Sequence, residues 1–186
     1  TASITPKALT VTALNATKTY DGAAFNGGNG VAYAGFAGSE NESVLTGTLA
    51  YGGNSQGAVD AGAYAITPSG LSSINYTIEF KDGVLTVNPR QLTVTGLAAQ
   101  GKVYDGTANA TITIWGSVST GVTVGGLTEV LTLNYGTASF DNKNAGVNKD
   151  VTATGYSLSN GVADAALSLS SGKASNYVLT SASATT

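Results

Sequence analysis

The 186-residue chain has no cysteine, no histidine and no methionine, and only three prolines. Without cysteine there are no disulfides, no thiolate nucleophiles and no cysteine-ligated metals. Without histidine the usual general base, the Ser-His-Asp triad and the commonest zinc ligand are gone. Charge is scarce as well: Asp, Glu, Lys and Arg make up 10% of the residues, against roughly 25% in an average domain. A net charge of −3 gives no electrostatic footprint for nucleic acid or an anionic membrane. No apolar run is long enough to span a bilayer, and no signal-peptide pattern is visible. Catalysis would have to draw on carboxylates, a few lysines and many hydroxyls. The expectation is a non-enzyme that needs neither cofactor nor metal.

What takes the place of charge is Thr, Ser, Asn and Gly. Thr suits a pleated, half-exposed strand, and Gly and Asn suit the turns between strands. The lack of any methionine suggests a piece excised from a longer chain.

An internal repeat organises the sequence. "TPKALTVTAL" at 5–14 matches "NPRQLTVTGL" at 88–97, and each runs on into a Tyr-Asp-Gly motif, "KTYDGAAF" at 18–25 and "KVYDGTAN" at 102–109. "AGAYAITPSGL" at 61–71 has a looser partner in 145–158, and "INYTI" at 74–78 corresponds to "SNYVL" at 175–179. The period of about 84 residues is domain-sized, well above the roughly 20–50 of solenoid repeats. Two modules follow, 1–88 and 89–186, with Pro6 and Pro89 at matching module starts where a ladder N–H can be spared.

Period-2 alternation predicts an all-β, or β-rich, pair. Leu9, Val11 and Ala13 alternate with threonines, as do Leu92, Val94 and Gly96. Further strands are expected at 44–51, 63–67, 76–80 and 84–87, and in the second module at 110–115, 121–124, 129–135, 150–154 and 176–181. Asp82-Gly83 in "EFKDGVLT" predicts a hairpin turn. Ser39-x-x-Glu42 has capping-box spacing and predicts one helical turn near 40–44.

In this order the motifs resemble two known modules. "TYDG", "YAGF", "SENESVLTGTL", "INYTIEF" and "GVLTVNP" are similar to the MBG-type module. "KVYDGTA", "FDNKNAG" and the closing "NYVLTSASATT" are similar to the YDG-type module. The Gly/Asn-rich "FNGGNG" at 25–30 departs from the pattern. The resemblance implies a small β-rich fold related to the β-grasp of mucin-binding modules. It also implies tandem arrays in secreted or surface-bound bacterial adhesins of the filamentous-haemagglutinin, two-partner-secretion kind, with both ends of this chain at module joints. The function it implies is a stalk segment presenting a distal adhesive region. The alternative is a module that itself grips glycan, mucin or another surface protein. Neighbouring modules of the same chain are the expected partners, with neither nucleic acid nor membrane insertion, and the piece itself is expected to be a monomer.

Each candidate site has a bland competitor. "GLAAQGKV" at 96–103 fits the start of a phosphate loop, but Val103 stands where Ser or Thr must reach magnesium. "GGNGVAY" fails the dinucleotide fingerprint because Tyr33 occupies its third glycine. Asp141, Asn142 and Asn144 offer calcium ligands, yet Lys143 among them opposes a cation, and an Asn/Asp turn is simpler. Sequons at Asn15, Asn41, Asn75 and Asn109 match chance in so Asn- and Thr-rich a chain. Lys18 and Lys102, beside Asp21 and Asp105, are the repeated candidates for an isopeptide cross-link, which would need burial. Asp60 and Glu79 would serve a glycosidase only about 5–9 Å apart. Trp115 has the parity of Thr113 and is expected to face outward, available to a ligand or to a neighbouring module.

Tyr20-Asp21-Gly22 and Tyr104-Asp105-Gly106 read best as structural joints. The Tyr ring is expected over the end of the core with its hydroxyl at the surface. The Asp should accept downstream N–H groups in an Asx-turn, and the Gly should take a positive φ.

Overall fold

A computed structural model describes residues 1–181 and 183–185; Ala182 and Thr186 of the closing motif lie outside the described residues. The chain divides into two compact units, Thr1–Asn88 and Pro89–Thr186. Both are built from strands, with no α-helix among the described residues and only short 3-10 turns.

Unit 1 contains β1 (Lys7–Ala13), β2 (Ala16–Thr19), β3 (Val31–Ala34), β4 (Thr46–Gly52), β5 (Gly62–Ser72), β6 (Tyr76–Lys81) and β7 (Gly83–Asn88). They form a three-stranded sheet, β3-β1-β6, and a four-stranded sheet, β2-β7-β5-β4. The expected alternation is what fills the core: Leu9, Val11 and Ala13 of β1, Ile66 of β5, and Leu85 and Val87 of β7 are all buried. Threonines between them, Thr10, Thr12 and Thr86, stay partly exposed. Each buried Leu, Ile or Val contributes about 1.5–3 kcal/mol by removal from water.

The two sheets share a corner. β1 pairs in parallel with β6, from Lys7↔Tyr76 to Thr12↔Lys81. β2 pairs in parallel with β7, from Ala16↔Leu85 to Thr19↔Asn88. The separation in sequence is 69 in both ladders, so one parallel pair turns from the first sheet into the second without losing register. Asp82-Gly83 therefore makes no hairpin, because β6 and β7 do not pair with each other. It is the outer strand's half of the corner. A Cβ at Gly83 would stand 2.5 Å from Ala13 O and 2.9 Å from Leu14 O, so the glycine serves close backbone approach. Asn15 Oδ1 accepts from Val84 N at 2.8 Å and ties the halves together.

The 3-10 turn Glu42–Val44 lies where a helical turn is predicted, but Asn41 caps it in place of Ser39, accepting from Ser43 N at 3.0 Å. Of the β-grasp, unit 1 shows the parallel pairing of its first strand with a late one, and the helix of that fold has no counterpart among the described residues.

Unit 2 contains β8 (Arg90–Leu92), β9 (Thr95–Gln100), β10 (Thr111–Ser117), β11 (Thr123–Val124), β12 (Leu127–Asn134) and β13 (Ala138–Phe140). There follow β14 (Val151–Thr154), β15 (Ser157–Asn160), β16 (Leu169–Ser171), β17 (Tyr177–Leu179) and β18 (Ser183–Thr185). The pairings are β8 with β17, β9 with β10, β13-β14-β18, and β11-β12-β15 with β16 also on β12. Val94, Ala153 and Tyr156 centre a core against which Leu97, Trp115 and Leu133 pack. The expected strand through Leu92, Val94 and Gly96 is broken: Leu92 and Val94 are buried, but Gly96 is exposed. The chain changes partner there, from β17 to β10.

Only Pro89 separates β7 from β8.

Candidate functional site: the Tyr-Asp-Gly loops

Both motifs fold into the same loop. In unit 1, Asp21 Oδ1 accepts from Ala23 N at 2.9 Å, and Gly22 has φ +76°. In unit 2, Asp105 Oδ1 accepts from Thr107 N at 2.9 Å, and Gly106 has φ +79°. These are Asx-turns, with glycine in the left-handed region that a Cβ disfavours. A lysine three residues before the aspartate closes each loop. Lys18 Nζ lies 2.7 Å from Asp21 Oδ1 and donates to Ala23 O at 2.7 Å. Lys102 Nζ lies 2.9 Å from Asp105 Oδ1 and donates to Thr107 O at 2.9 Å.

The electrostatics follow from these partners. The Lys102 hydrogen bond, with Thr107 N–H and hydroxyl, holds the Asp105 carboxyl down at about 2. At Asp21 partial burial pushes upward, but the Lys18 and Ala23 hydrogen bonds outweigh it and the carboxyl sits below its usual value. Both aspartate side chains are about half exposed, at 51% and 52%. An ionised, half-exposed carboxylate already engaged by donors is the opposite of the buried neutral group that an isopeptide cross-link requires.

The tyrosines differ. Tyr20 is 2% exposed, whereas Tyr104 is 62% exposed. The expectation of a ring packed on the module's core therefore describes unit 1, and in unit 2 it is corrected: Tyr104 stands in solvent beside an open groove of about 580 Å³. Residues 97–102, Tyr104, Phe140, Lys149 and Val151 are among those that line it. The Lys102 ammonium sits 5.7 Å from the Phe140 ring centroid.

The "FDNKNAG" loop closes around a lysine of its own. Lys149 Nζ lies 2.7 Å from Asp141 Oδ1, bonds Asn142 Oδ1 and reaches Asn144 O at 3.2 Å. The oxygens weighed above as calcium ligands thus converge on an ammonium, and Lys143 is exposed beside them. Among the described residues no group of three or more Asp or Glu could hold a metal ion.

Trp115 does not face freely outward. Its ring stacks on Tyr135 at 4.3 Å and meets Tyr156 edge-on, while Tyr156 hydroxyl donates to Trp115 O at 2.7 Å. A bulge between Ile112 and Ile114 shifts the parity, so Ile114 is the exposed side chain, at 58%. "GLAAQGKV" runs through β9, and "GGNGVAY" leads into β3. Glu79 lies on β6 with Lys81 Nζ at 3.8 Å, and Asp60 precedes β5.

Sequence reasoning missed a second repeated device. Tyr76 and Tyr177, both nearly fully buried, donate their hydroxyls to the carboxylates of Glu40 and Glu129. The acceptor carboxylate, together with burial, pushes the Tyr76 hydroxyl above its usual range. The repeated Asn-Tyr dipeptide was visible in the sequence. Its glutamates, 36 and 48 residues upstream, had no shared spacing to reveal them.

No curated protein and no solved structure matches the chain. Residues 9–86 match the MBG domain (YGX type), and residues 88–186 match the YDG domain. The family match meets the geometry at the repeated Tyr-Asp-Gly loop, and the chain belongs to the YDG domain family, as a YDG module preceded in tandem by an MBG module.

Proposed function

We propose that this chain is a tension-bearing stalk segment of a bacterial surface adhesin and has no catalytic role. Domains of both kinds are found in repeat-type surface proteins. The observation that carries the reading is the direction of the terminal strands. In unit 1 the first strand, β1, runs parallel to β6, and the last strand, β7, runs parallel to β2. Tension applied at Lys7 and Asn88 pulls the two members of each pair in opposite senses along their common axis. All the slanted ladder bonds then carry load together and cannot open one at a time. Unit 2 repeats the first of these pairings, with β8 parallel to β17 over only Arg90–Leu92. Only Pro89 lies between β7 and β8; its own φ is fixed and it restricts Asn88.

In this reading the partners are neighbouring modules of the same array, the setting is secreted or cell-surface, and the structure's loops are joints. The test is single-molecule pulling on the whole chain held at both ends. Two discrete unfolding events are expected, with the shorter unit 2 ladder yielding first. Smooth extension without discrete events would overturn the proposal.

A further inference from the structure

The chain holds neither cysteine nor methionine, the sulfur side chains that ordinarily react first with an oxidant. That leaves Trp115, the only tryptophan, and nine tyrosines. Of the nine, Tyr104 and Tyr135 alone are exposed, at 62% and 52%. Trp115 lies half-buried against the core of Val94, Ala153 and Tyr156. Its ring stacks on Tyr135 with centroids 4.3 Å apart and planes inclined by only 8°. At that separation the two π-systems exchange an electron directly. Tyr156 meets the same indole edge-on at 6.5 Å, but it is 4% exposed and its hydroxyl donates to Trp115 O at 2.7 Å. Oxidising a phenol expels its proton, and a backbone carbonyl is too weak a base to keep it. Tyr135, at the surface, can release the proton to water. Tyr104 is the more exposed of the two but stands outside this stack.

We propose that Trp115 and Tyr135 form an oxidation relay whose exit, Tyr135, is a site of covalent tyrosine–tyrosine cross-linking to a second copy of the chain. The oxidant is of the peroxide class, activated to take single electrons. An indole that loses an electron is refilled by the stacked phenol. Trp115 returns to its starting state, and Tyr135 loses its proton to water and keeps the unpaired electron. Two such radicals on separate copies join through the ring carbons ortho to their hydroxyls. The hydrogen on each joined carbon then moves to its oxygen, which restores both phenols. Each cross-link thus gives up two electrons and two protons, and one hydrogen peroxide takes them up as two waters. The bond ties copies together where the chain has no cysteine for a disulfide. It is independent of the stalk proposal.

The test treats the whole chain with persulfate and a light-activated ruthenium complex, which draws single electrons from indoles and phenols alike. Covalent dimer and dityrosine fluorescence are followed, and the joined peptides are mapped by mass spectrometry. Expected is a dimer linked mainly through Tyr135. Tyr135→Phe keeps the stacked ring and removes the phenol, so it should lose most of the dimer. Tyr104→Phe should lose little, although Tyr104 is the more exposed. In Tyr135→Phe the missing electron has no exit, and ring-oxygenated Trp115 should build up several-fold over the parent. Trp115→Phe, checked for its fold by circular dichroism, should remove the preference for Tyr135 over Tyr104. Cross-links that form first at Tyr104, an unchanged dimer yield in Tyr135→Phe, or equal loss of Trp115 in that variant and the parent would overturn the inference. So would a parent chain that stays monomeric under oxidation.

Discussion

The two Tyr-Asp-Gly loops share a backbone and differ in what stands behind it. Asp21 and Asp105 make the same turn, and Lys18 and Lys102 latch it from the same position. Yet Tyr20 is buried and Tyr104 is exposed. The turn depends on groups within six residues of chain, so the sequence carries all it needs. The backbone at Tyr20 is tied to the end of β7, Tyr20 N donating to Asn88 O at 2.8 Å across 68 positions of sequence. The same local turn can thus form whether its tyrosine is buried or exposed.

The largest effect should separate the tyrosines. Tyr20→Ala should cost unit 1 about 3–5 kcal/mol, as for a buried aromatic ring, whereas Tyr104→Ala should stay within about 0.5 kcal/mol. Trp115, in unit 2, is the only tryptophan, so its fluorescence follows that unit while far-ultraviolet dichroism follows both. Equal losses would mean that Tyr104 is held by something more than its loop.

Next comes the corner. Gly83→Ala places a methyl group 2.5 Å from Ala13 O, and should destabilise unit 1 by about 1–3 kcal/mol through overpacking. Trp115 fluorescence should melt unchanged. An unaltered dichroism melt would show that the corner relaxes freely.

The latch itself is weaker. Asp21→Ala removes one Asx bond and a half-exposed ion pair, an expected loss of about 0.5–1.5 kcal/mol from unit 1. Acid should do the same to unit 2 without mutation. The Asp105 carboxyl sits at about 2, below its usual 3.8. Its stabilising contribution is therefore complete above the unfolded-state value and lost as pH falls from about 4 towards 2. A carboxyl-carbon NMR titration of Asp105 reads this directly, and a midpoint at the ordinary carboxylate value would remove Lys102 from the account.

Smallest of all should be the effect of EDTA. Because Lys149 occupies the focus of the Asp141, Asn142 and Asn144 oxygens, chelation should leave both melts in place. A fall of several degrees, reversed by calcium, would show that the ammonium yields to a metal.

What the sequence made legible was short-range. The Thr-alternated apolar residues of β1 and β7, the Asx-turns and the module boundary need only neighbours along the chain. Hidden were the short polar strands, such as Ala16–Thr19 "ATKT", whose pairing is dictated by β7 and not by their own alternation. Asp82-Gly83 misled because the turn dipeptide is also the residue pair that tolerates a crossing backbone. Trp115 misled because a single bulge reversed the parity of β10.

The constant register of 69 residues around the corner of unit 1 also orders events in time. β1 and β2 emerge first from any vectorial synthesis or export, but their parallel partners are the last two strands of the unit. The early segments must wait as open chain until residues 76–88 arrive, and closing so large a loop makes such folding slow. Completion of unit 1 is thereby tied to delivery of its final strand, and a chain threaded through a pore reaches the far side before it can lock.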